Sequence, residues 1–260
     1  RSSDLGLSPP DPLTDPDAGA RAKEVAGRYL NNRRTFTGWA QFFGALSPLD
    51  IIATPDGALM IQTNILPAPS RFEPIGPDLW QDAHGNRVRV VRDAGGDILR
   101  IADGTGAHSH ERVRGLTDPN WLTGAFGLAA LLAVTTLLGL IWRRGLKGGT
   151  PAGGLAAATA LMGAASVLLF AGAGVAAALA ATQLGSRYIF DQPQPTLQAV
   201  LVLADVVAVV TVALLLSLVA VWRVDGWSLW RRLHQTGFAL SLAGFAALLL
   251  YWGLAFGGAI

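Results

Sequence analysis

Two features of this sequence could take part in metal binding or proton transfer. The first is the run His108-Ser109-His110-Glu111. Alternate residues on a strand share a face, so the two imidazoles could ligate one metal ion. No third ligand accompanies them, and the run is typical of an exposed turn that enters a strand. We therefore predict no metal site at these residues.

The second candidate is Asp205, which lies within a long apolar stretch. A carboxylate in hydrocarbon costs several kcal/mol unless it is paired or protonated, and such residues often belong to proton relays. The other apolar stretches supply no charged partner for a proton pathway. We expect Asp205 to hydrogen-bond a Thr or Ser of a neighbouring helix or to lean toward the outer interface, with a proton-coupled role as the alternative.

Familiar catalytic motifs are missing from the sequence. The only lysines are Lys23 and Lys147, and neither follows a serine by three residues. No G-x-S-x-G, H-E-x-x-H or G-x-x-x-x-G-K-[ST] motif occurs. The lack of cysteine excludes a disulfide scaffold, a Cys-ligated metal and a thiol nucleophile. The sequence thus predicts no catalytic residue and no cofactor.

The distribution of charge divides the 260 residues into a soluble part and a membrane part. Up to Asn120 there are 13 Lys and Arg against 15 Asp and Glu, whereas the remaining 140 residues hold only 7 against 3. Soluble domains average about 25% charged residues, which only the first part approaches. The net charge of +2 is not gathered into one basic stripe, so no nucleic-acid partner is predicted.

Four stretches of the second part are long and apolar enough to cross a bilayer about 30 Å thick. Continuous apolar runs without two-residue alternation indicate helices. The predicted transmembrane helices cover residues 122–142, 155–182, 197–222 and 235–258. Small residues such as Gly163, Gly172 and Gly174 in the second helix favour close packing within the bundle, with a dimerisation face as the alternative.

Basic residues in the connections predict the orientation of these helices. The first and third connections each carry three cations, namely Arg143, Arg144 and Lys147, and then Arg223, Arg231 and Arg232, whereas the second has only Arg187 beside Asp191. The positive-inside rule then places the first and third connections in the cytoplasm and residues 1–120 outside it. Six tryptophans near helix ends suggest an interfacial belt: Trp121, Trp142, Trp222, Trp227, Trp230 and Trp252.

The first part divides into a linker, residues 1–24, and a β domain, residues 25–120. Prolines and aspartates dominate the first twenty residues, as in extended linkers. Short runs then flank turn sequences at Pro55-Asp56-Gly57, at residues 82–86 and at residues 93–96, which predicts hairpins of an antiparallel sheet or small barrel. The aromatic spacing of Arg34–Leu46 predicts a short helix that caps the barrel.

Several segments of the β domain resemble the C-terminal region of membrane-anchored serine hydrolases of the β-lactamase and penicillin-binding-protein-like superfamily (class C, peptidase S12-like). The matching segments are Ala26-Gly27-Arg28-Tyr29, Asn32-Arg33-Arg34-Thr35-Phe36-Thr37, Asp56-Gly57-Ala58-Leu59, Arg71-Phe72-Glu73-Pro74 and Glu111-Arg112-Val113. In that family an exported catalytic domain precedes a small lipocalin-like β domain and C-terminal transmembrane helices. The family's S-x-x-K and K-T-G-like motifs have no counterpart here, and Tyr29-Leu30-Asn31 only superficially matches its Y-x-N motif, so we expect it to be structural.

The resemblance implies that this chain is the membrane anchor and accessory β domain of an exported serine hydrolase of the bacterial cytoplasmic membrane. The acyl-enzyme chemistry would belong to an upstream domain of the same polypeptide. Residues 1–25 lack a signal peptide, which also predicts upstream sequence. The alternatives are a stand-alone membrane-anchored binding or sensing protein and, less favoured, a small proton-coupled transporter that uses Asp205.

Overall fold

The chain folds into an eight-stranded antiparallel barrel and a set of four long apolar helices. The computed structural model describes residues 17–63, 68–104, 108–142, 150–185 and 194–257. One compact unit ends at Asp118, and the second begins at Pro119 and also includes Thr37–Phe42. The predicted fold class, a small β-barrel followed by a helical transmembrane bundle, is confirmed.

Each strand of the barrel pairs with the next one along the chain. The strands are β1 Gly27–Asn31, β2 Leu49–Ala53, β3 Leu59–Thr63, β4 Ser70–Gly76, β5 Leu79–Asp82, β6 Arg87–Arg92, β7 Ile98–Asp103 and β8 Ser109–Arg112. Pairing of β1 with β8, in which Leu30 lies opposite Glu111, closes the ring. Closure leaves no unpaired strand edge.

Aspartates stabilise two of the predicted hairpins. Asp82 Oδ1 accepts hydrogen bonds from the backbone N–H groups of His84 and Asn86, and Asp93 Oδ1 accepts the equivalent bonds from Gly95 and Asp97. Such side-chain bonds to the following backbone are the reason that Asp favours turns. The hairpins predicted from this turn chemistry are present.

The barrel core comes from residues that alternate along the strands. Leu49 and Ile51 on β2, and Leu59 and Ile61 on β3, point inward, whereas Ile52 is 59% exposed. Trp80 and Tyr29 are the largest side chains that are fully buried in this core. The two-residue period of a strand therefore decides which side chains fill the barrel.

A helix that the sequence analysis assigned to the linker contributes to the same core. Helix α1, Ala18–Val25, places Ala22 and Val25 in the barrel core with no exposed surface. The helix predicted over Arg34–Leu46 is shorter, since α2 covers only Ala40–Ala45, and it supplies no member of this core. The prediction that this second helix caps the barrel was wrong, and α1 performs that role.

The membrane part consists of helices α3 Asn120–Trp142, α4 Pro151–Leu184, α5 Pro195–Arg223 and α6 Leu229–Tyr251. By length and composition, each could cross a membrane, which indicates a membrane protein. The last helix begins earlier than predicted, at Leu229. It also ends earlier, because the residues after Tyr251 form a turn. At 1.5 Å per residue α4 is about 50 Å long and exceeds the hydrocarbon thickness.

Small residues in α4 pack closely only in its first half. A methyl group on Gly163 would come within 3.2 Å of the Phe238 ring, whereas one on Gly172 or Gly174 would meet no neighbour within 4 Å. The buried residues of α4 lie between Gly153 and Val167. The packing role predicted for these small residues therefore holds for Gly163 and fails for the other two glycines within the described structure.

Candidate ligand-binding cavity of the barrel

One end of the barrel, which we call the closed end, is covered by α1 and bordered by the β2–β3 and β6–β7 turns. A Cβ atom on Gly57 in the first turn would lie 2.6 Å from Ala18 Cβ, so the helix sits directly against this turn. Gly57 also has a φ of +87°, a conformation that glycine tolerates best. Two constraints therefore favour glycine at this position.

Arg92 holds α1 in place by hydrogen bonds to three separate elements. Its Nη1 and Nη2 atoms donate to Glu24 Oε1 and Oε2 at 2.6 and 3.0 Å. Its Nε donates to Asp78 Oδ2 at 3.0 Å, and Nη1 also donates to the Gly96 carbonyl at 2.9 Å. The Arg92 bonds lower the pKa of Glu24. A planar guanidinium suits such two-pronged pairing with carboxylates.

Buried aromatic residues fill the barrel next to this closed end. Trp80 Nε1 donates to the Gly57 carbonyl at 3.1 Å, and the Tyr29 hydroxyl donates to the Val25 carbonyl at 2.7 Å. Burial raises the pKa of Tyr29, so its hydroxyl stays protonated at neutral pH. Tyr29 thus has the structural role predicted for it. Both polar atoms are therefore already satisfied within the barrel.

The opposite half of the barrel contains a cavity of about 490 Å³. This volume lies within the range of about 300–1,000 Å³ that small-molecule sites usually occupy. Its wall is mainly apolar and includes Leu49, Ile61, Phe72, Val88 and Ile101. Polar side chains line the cavity as well, namely Ser70, Asp82, Asn86, Arg87, Asp103 and His110.

His110 is the histidine that lines the cavity. The predicted exposed turn at residues 108–111 is wrong, because Ser109–Arg112 form strand β8 and His110 is half-buried opposite Ile101. Burial lowers the pKa of His110, the neighbouring His108 lowers it further, and Asp103 acts in the opposite direction. The ring is consequently neutral at pH 7. It makes no hydrogen bond to any residue that the structure describes.

The two histidines of the predicted metal candidate have separate environments. His108 precedes β8, and its Nδ1 lies 3.0 Å from Asp103 Oδ2. Across the described ranges, no group of three or more metal-ligating residues forms.

Charged residues form a rim around the cavity, and its two carboxylates already have partners. Asp82 accepts three hydrogen bonds from the β5–β6 turn, and Asp103 pairs with His108. Arg87 on the rim donates its Nε hydrogen bond to Gln81 at 3.0 Å. Among the described residues, the rim therefore carries two acidic groups, one guanidinium and the Asn86 amide around an apolar interior.

Sequence reasoning did not find this cavity. The spacing of two residues between Ser70 and Phe72 could have indicated that both lie on the inner face of β4. A cavity forms only where inward side chains from several strands fail to fill the barrel. That property depends on the summed volumes of distant residues and has no local signature.

Asp205, the intramembrane candidate, lies in α5 and contacts the turn that follows α6. Its Oδ1 accepts a hydrogen bond from the Phe256 backbone N–H at 2.5 Å. This partner differs from the predicted Thr or Ser of a neighbouring helix. Phe256 has a φ of +55°, so the carboxylate binds a residue in the left-handed region of backbone conformation.

The same turn contains a buried tryptophan and a close approach of two glycines. Trp252 is 2% exposed and packs edge-on against Phe42, with ring centroids 6.0 Å apart. Gly253 lies so near Gly38 that an added Cβ atom would be 2.7 Å from its carbonyl. Trp252 is therefore a packing residue of this unit, whereas Trp142 and Trp230 are exposed. The interfacial belt of the six tryptophans stays a prediction.

Other polar side chains in the helical unit bond to neighbouring helices. Thr159 Oγ1 donates to Ser217 Oγ at 3.0 Å, and Gln235 Nε2 donates to the Ala156 carbonyl at 2.7 Å. These bonds satisfy polar groups that hydrocarbon would otherwise leave unpaired. They link α4 to α5 and α4 to α6.

No protein-family model, curated protein or solved structure matches this chain. The functional proposals below consequently depend on its residues and their geometry.

Proposed function

We propose that this chain is the membrane anchor and accessory β domain of an exported serine hydrolase of the β-lactamase-like superfamily. In this proposal the barrel lies outside the cytoplasmic membrane of a bacterium and an upstream domain of the same polypeptide carries the nucleophilic serine. The observation behind this proposal is that one chain combines a closed barrel with four helices long enough to span a membrane. Its sequence contains no recognisable catalytic motif. The superfamily is proposed because segments of the β domain resemble its members.

The closure of the barrel supports an accessory role. All eight strands come from Gly27–Arg112, and α1 covers the closed end immediately before them. The barrel therefore needs no strand from another domain. A preceding catalytic domain would be joined to it through the Pro- and Asp-rich residues 1–16, which lie outside the described structure.

The cations at the helix ends that flank the α5–α6 connection support the proposed orientation. Arg231 and Arg232 lie in the first turn of α6; the Arg231 guanidinium stacks on the Trp227 ring at 3.5 Å, and Arg232 Nη2 donates to the Val224 carbonyl at 2.7 Å. Cations close to the ends of membrane spans favour the cytoplasmic side. The cations of the first connection, Arg143, Arg144 and Lys147, lie outside the described residues.

Hydrolase labelling tests the parent activity. Membranes of the native host would be treated with a fluorescent fluorophosphonate or penicillin, and the barrel would be captured with an antibody. We expect a labelled polypeptide larger than this chain, and no hydrolysis of a p-nitrophenyl ester by this chain alone. A native gene that encodes no S-x-x-K domain upstream of Arg1 would contradict the proposal.

Cysteine labelling tests the orientation separately, since the chain has no native cysteine. Arg89→Cys on the barrel surface and Asp225→Cys in the α5–α6 connection are both exposed positions. In intact spheroplasts an impermeant maleimide should label the first and spare the second until the cells are lysed. Labelling of Asp225→Cys before lysis would reverse the proposed topology.

The cavity favours a second candidate function, a stand-alone membrane-anchored binding or sensing protein. A volume of about 490 Å³ with a mainly apolar wall and a few polar side chains has the character of a small-molecule site. This candidate requires the native gene to begin close to Arg1 with its own export route. The sequence upstream of Arg1 therefore decides between the two functions.

A further inference from the structure

We propose that the barrel cavity binds an uncharged single-chain amphiphile, such as a medium-chain alcohol or monoglyceride. Its hydrocarbon tail would lie on the apolar wall and its head group would hydrogen-bond to His110 and Ser70. This proposal depends only on the cavity, so it stands or falls independently of the hydrolase anchor.

The apolar wall of the cavity favours a ligand with a hydrocarbon tail. Ile61, Phe72 and Val88 come from three different strands and face the same space. Each is less than a tenth exposed, and the surface that remains faces the cavity. A cavity of about 490 Å³ is large enough for several water molecules, and an apolar surface holds such water poorly. An apolar ligand would gain about 25 cal/mol for each Å² that it removes from water.

Ser70 and His110 determine which head group the cavity would accept. Neither the His110 ring nor the Ser70 hydroxyl hydrogen-bonds to a described residue, although both line the cavity. A neutral imidazole has one donor and one acceptor nitrogen, and a hydroxyl can also serve both roles. A ligand hydroxyl, ester or amide would satisfy these groups, whereas a pure hydrocarbon would leave them unpaired.

The charges of the rim argue against an ionic head group. An anion would meet the carboxylates of Asp82 and Asp103, while Arg87 is exposed and already bonded to Gln81. A cation would find both carboxylates engaged, Asp82 with its turn and Asp103 with His108. An uncharged head group avoids the desolvation cost that either ion would pay.

Photolabelling of the full chain in lipid nanodiscs tests the proposal. A diazirine-bearing medium-chain alcohol would be compared with a carboxylate and a trimethylammonium probe of the same chain length. Labelling of barrel peptides, read by mass spectrometry, would be normalised to labelling of α3–α6, because those helices report the probe concentration in the lipid. We expect barrel labelling by the alcohol to exceed that by either ion about tenfold and to fall when excess 1-decanol is added.

Two neighbouring residues of β6 supply the matched variants. Val88 lines the cavity and is 8% exposed, whereas Arg89 points outward. Val88→Phe should fill the space and reduce barrel labelling about tenfold or more, and Arg89→Phe should leave it unchanged. If Val88→Phe unfolds the barrel, His110→Leu keeps an apolar fill and should weaken competition by 1-decanol about threefold to tenfold.

Three outcomes would overturn the proposal. Barrel labelling could persist at full strength in a folded Val88→Phe variant, or competition by 1-decanol could be unchanged in His110→Leu. The carboxylate or trimethylammonium probe could label the barrel as strongly as the alcohol does. Barrel peptides could also remain unlabelled by the alcohol while α3–α6 are labelled.

Discussion

Glu24 and Arg92, which are far apart in the sequence, form a two-pronged ion pair that fixes α1 to the closed end of the barrel, with Nη–Oε distances of 2.6 and 3.0 Å. Asp78 and the Gly96 carbonyl occupy the other hydrogens of the same guanidinium. One arginine thus joins the helix, the β4–β5 turn and the β6–β7 turn.

Loss of Arg92 should destabilise the barrel more than loss of Glu24. Arg92→Ala leaves the half-buried Asp78 without its partner and should lower the free energy of unfolding by about 2–3 kcal/mol, whereas Glu24→Gln removes only an exposed charge and should cost under about 1 kcal/mol. Hydrogen exchange of the strand amides, read by mass spectrometry, measures both. Equal effects would contradict the shared role of Arg92.

The Glu24–Arg92 pair should also make the barrel sensitive to acid. The folded-state pKa of Glu24 is below its ordinary value because Arg92 hydrogen-bonds to it. The stability that this shift provides is complete above the unfolded pKa of about 4.3 and is lost as the pH falls through the folded value. Glu24→Gln should remove this part of the pH dependence of strand exchange. An unchanged acid profile would show that the pair contributes nothing in solution.

Gly57→Ala should disturb the docking of α1, and Gly96→Ala is its matched control. Both glycines have a φ of +87°, but an added Cβ atom meets Ala18 only at Gly57 and open space at Gly96. Gly96→Ala should therefore cost about 1 kcal/mol for backbone strain alone, and Gly57→Ala about 2 kcal/mol more. Hydrogen exchange of α1 measures the difference. Similar costs would show that α1 does not rest on the β2–β3 turn.

His110 should titrate below an ordinary histidine. Because burial lowers its folded pKa, the unfolded chain binds the proton more readily, so this group destabilises the barrel as the pH falls below about 6.5. The imidazole proton signals of His110, assigned by comparison with His110→Asn, give the pKa directly by NMR. A midpoint at or above that of a model peptide would contradict the buried position of the ring.

Asp205→Asn should be tolerated, whereas Asp205→Leu should free the C-terminal turn. Asparagine keeps an oxygen that can accept the Phe256 N–H hydrogen bond, and leucine does not. We expect rapid exchange of the Phe256 amide only in the leucine variant. If the asparagine variant lost a proton-coupled activity while the turn stayed protected, Asp205 would belong to a transport pathway after all.

Local sequence chemistry was enough to predict most of the barrel and all four helices. Asp82 and Asp93 mark their turns by side-chain bonds to the next residues, and the apolar spans follow from composition. Helix α1 was missed because its short polar sequence buries only three small or medium apolar residues, Ala18, Ala22 and Val25. Their burial depends on the end of a barrel that other residues build.

The candidate site was less predictable for the same reason. Strand β8 is four residues long, and its pairing with β1 joins residues about eighty positions apart. Without that pairing, nothing in the sequence shows that His110 faces inward. The partner of Asp205 was equally hidden, since a backbone N–H of a turn carries no sequence signature.

Ring closure through β1 and β8 also sets an order of events during synthesis. Until the residues of β8, up to Arg112, have joined the sheet, it has two unpaired edges that could join those of another chain. Only a short connection with the 3₁₀ turn Gly115–Thr117 separates that residue from α3. Completion of the barrel and insertion of the first span are thus consecutive steps, and a delay in the second would prolong the aggregation-prone interval of the first.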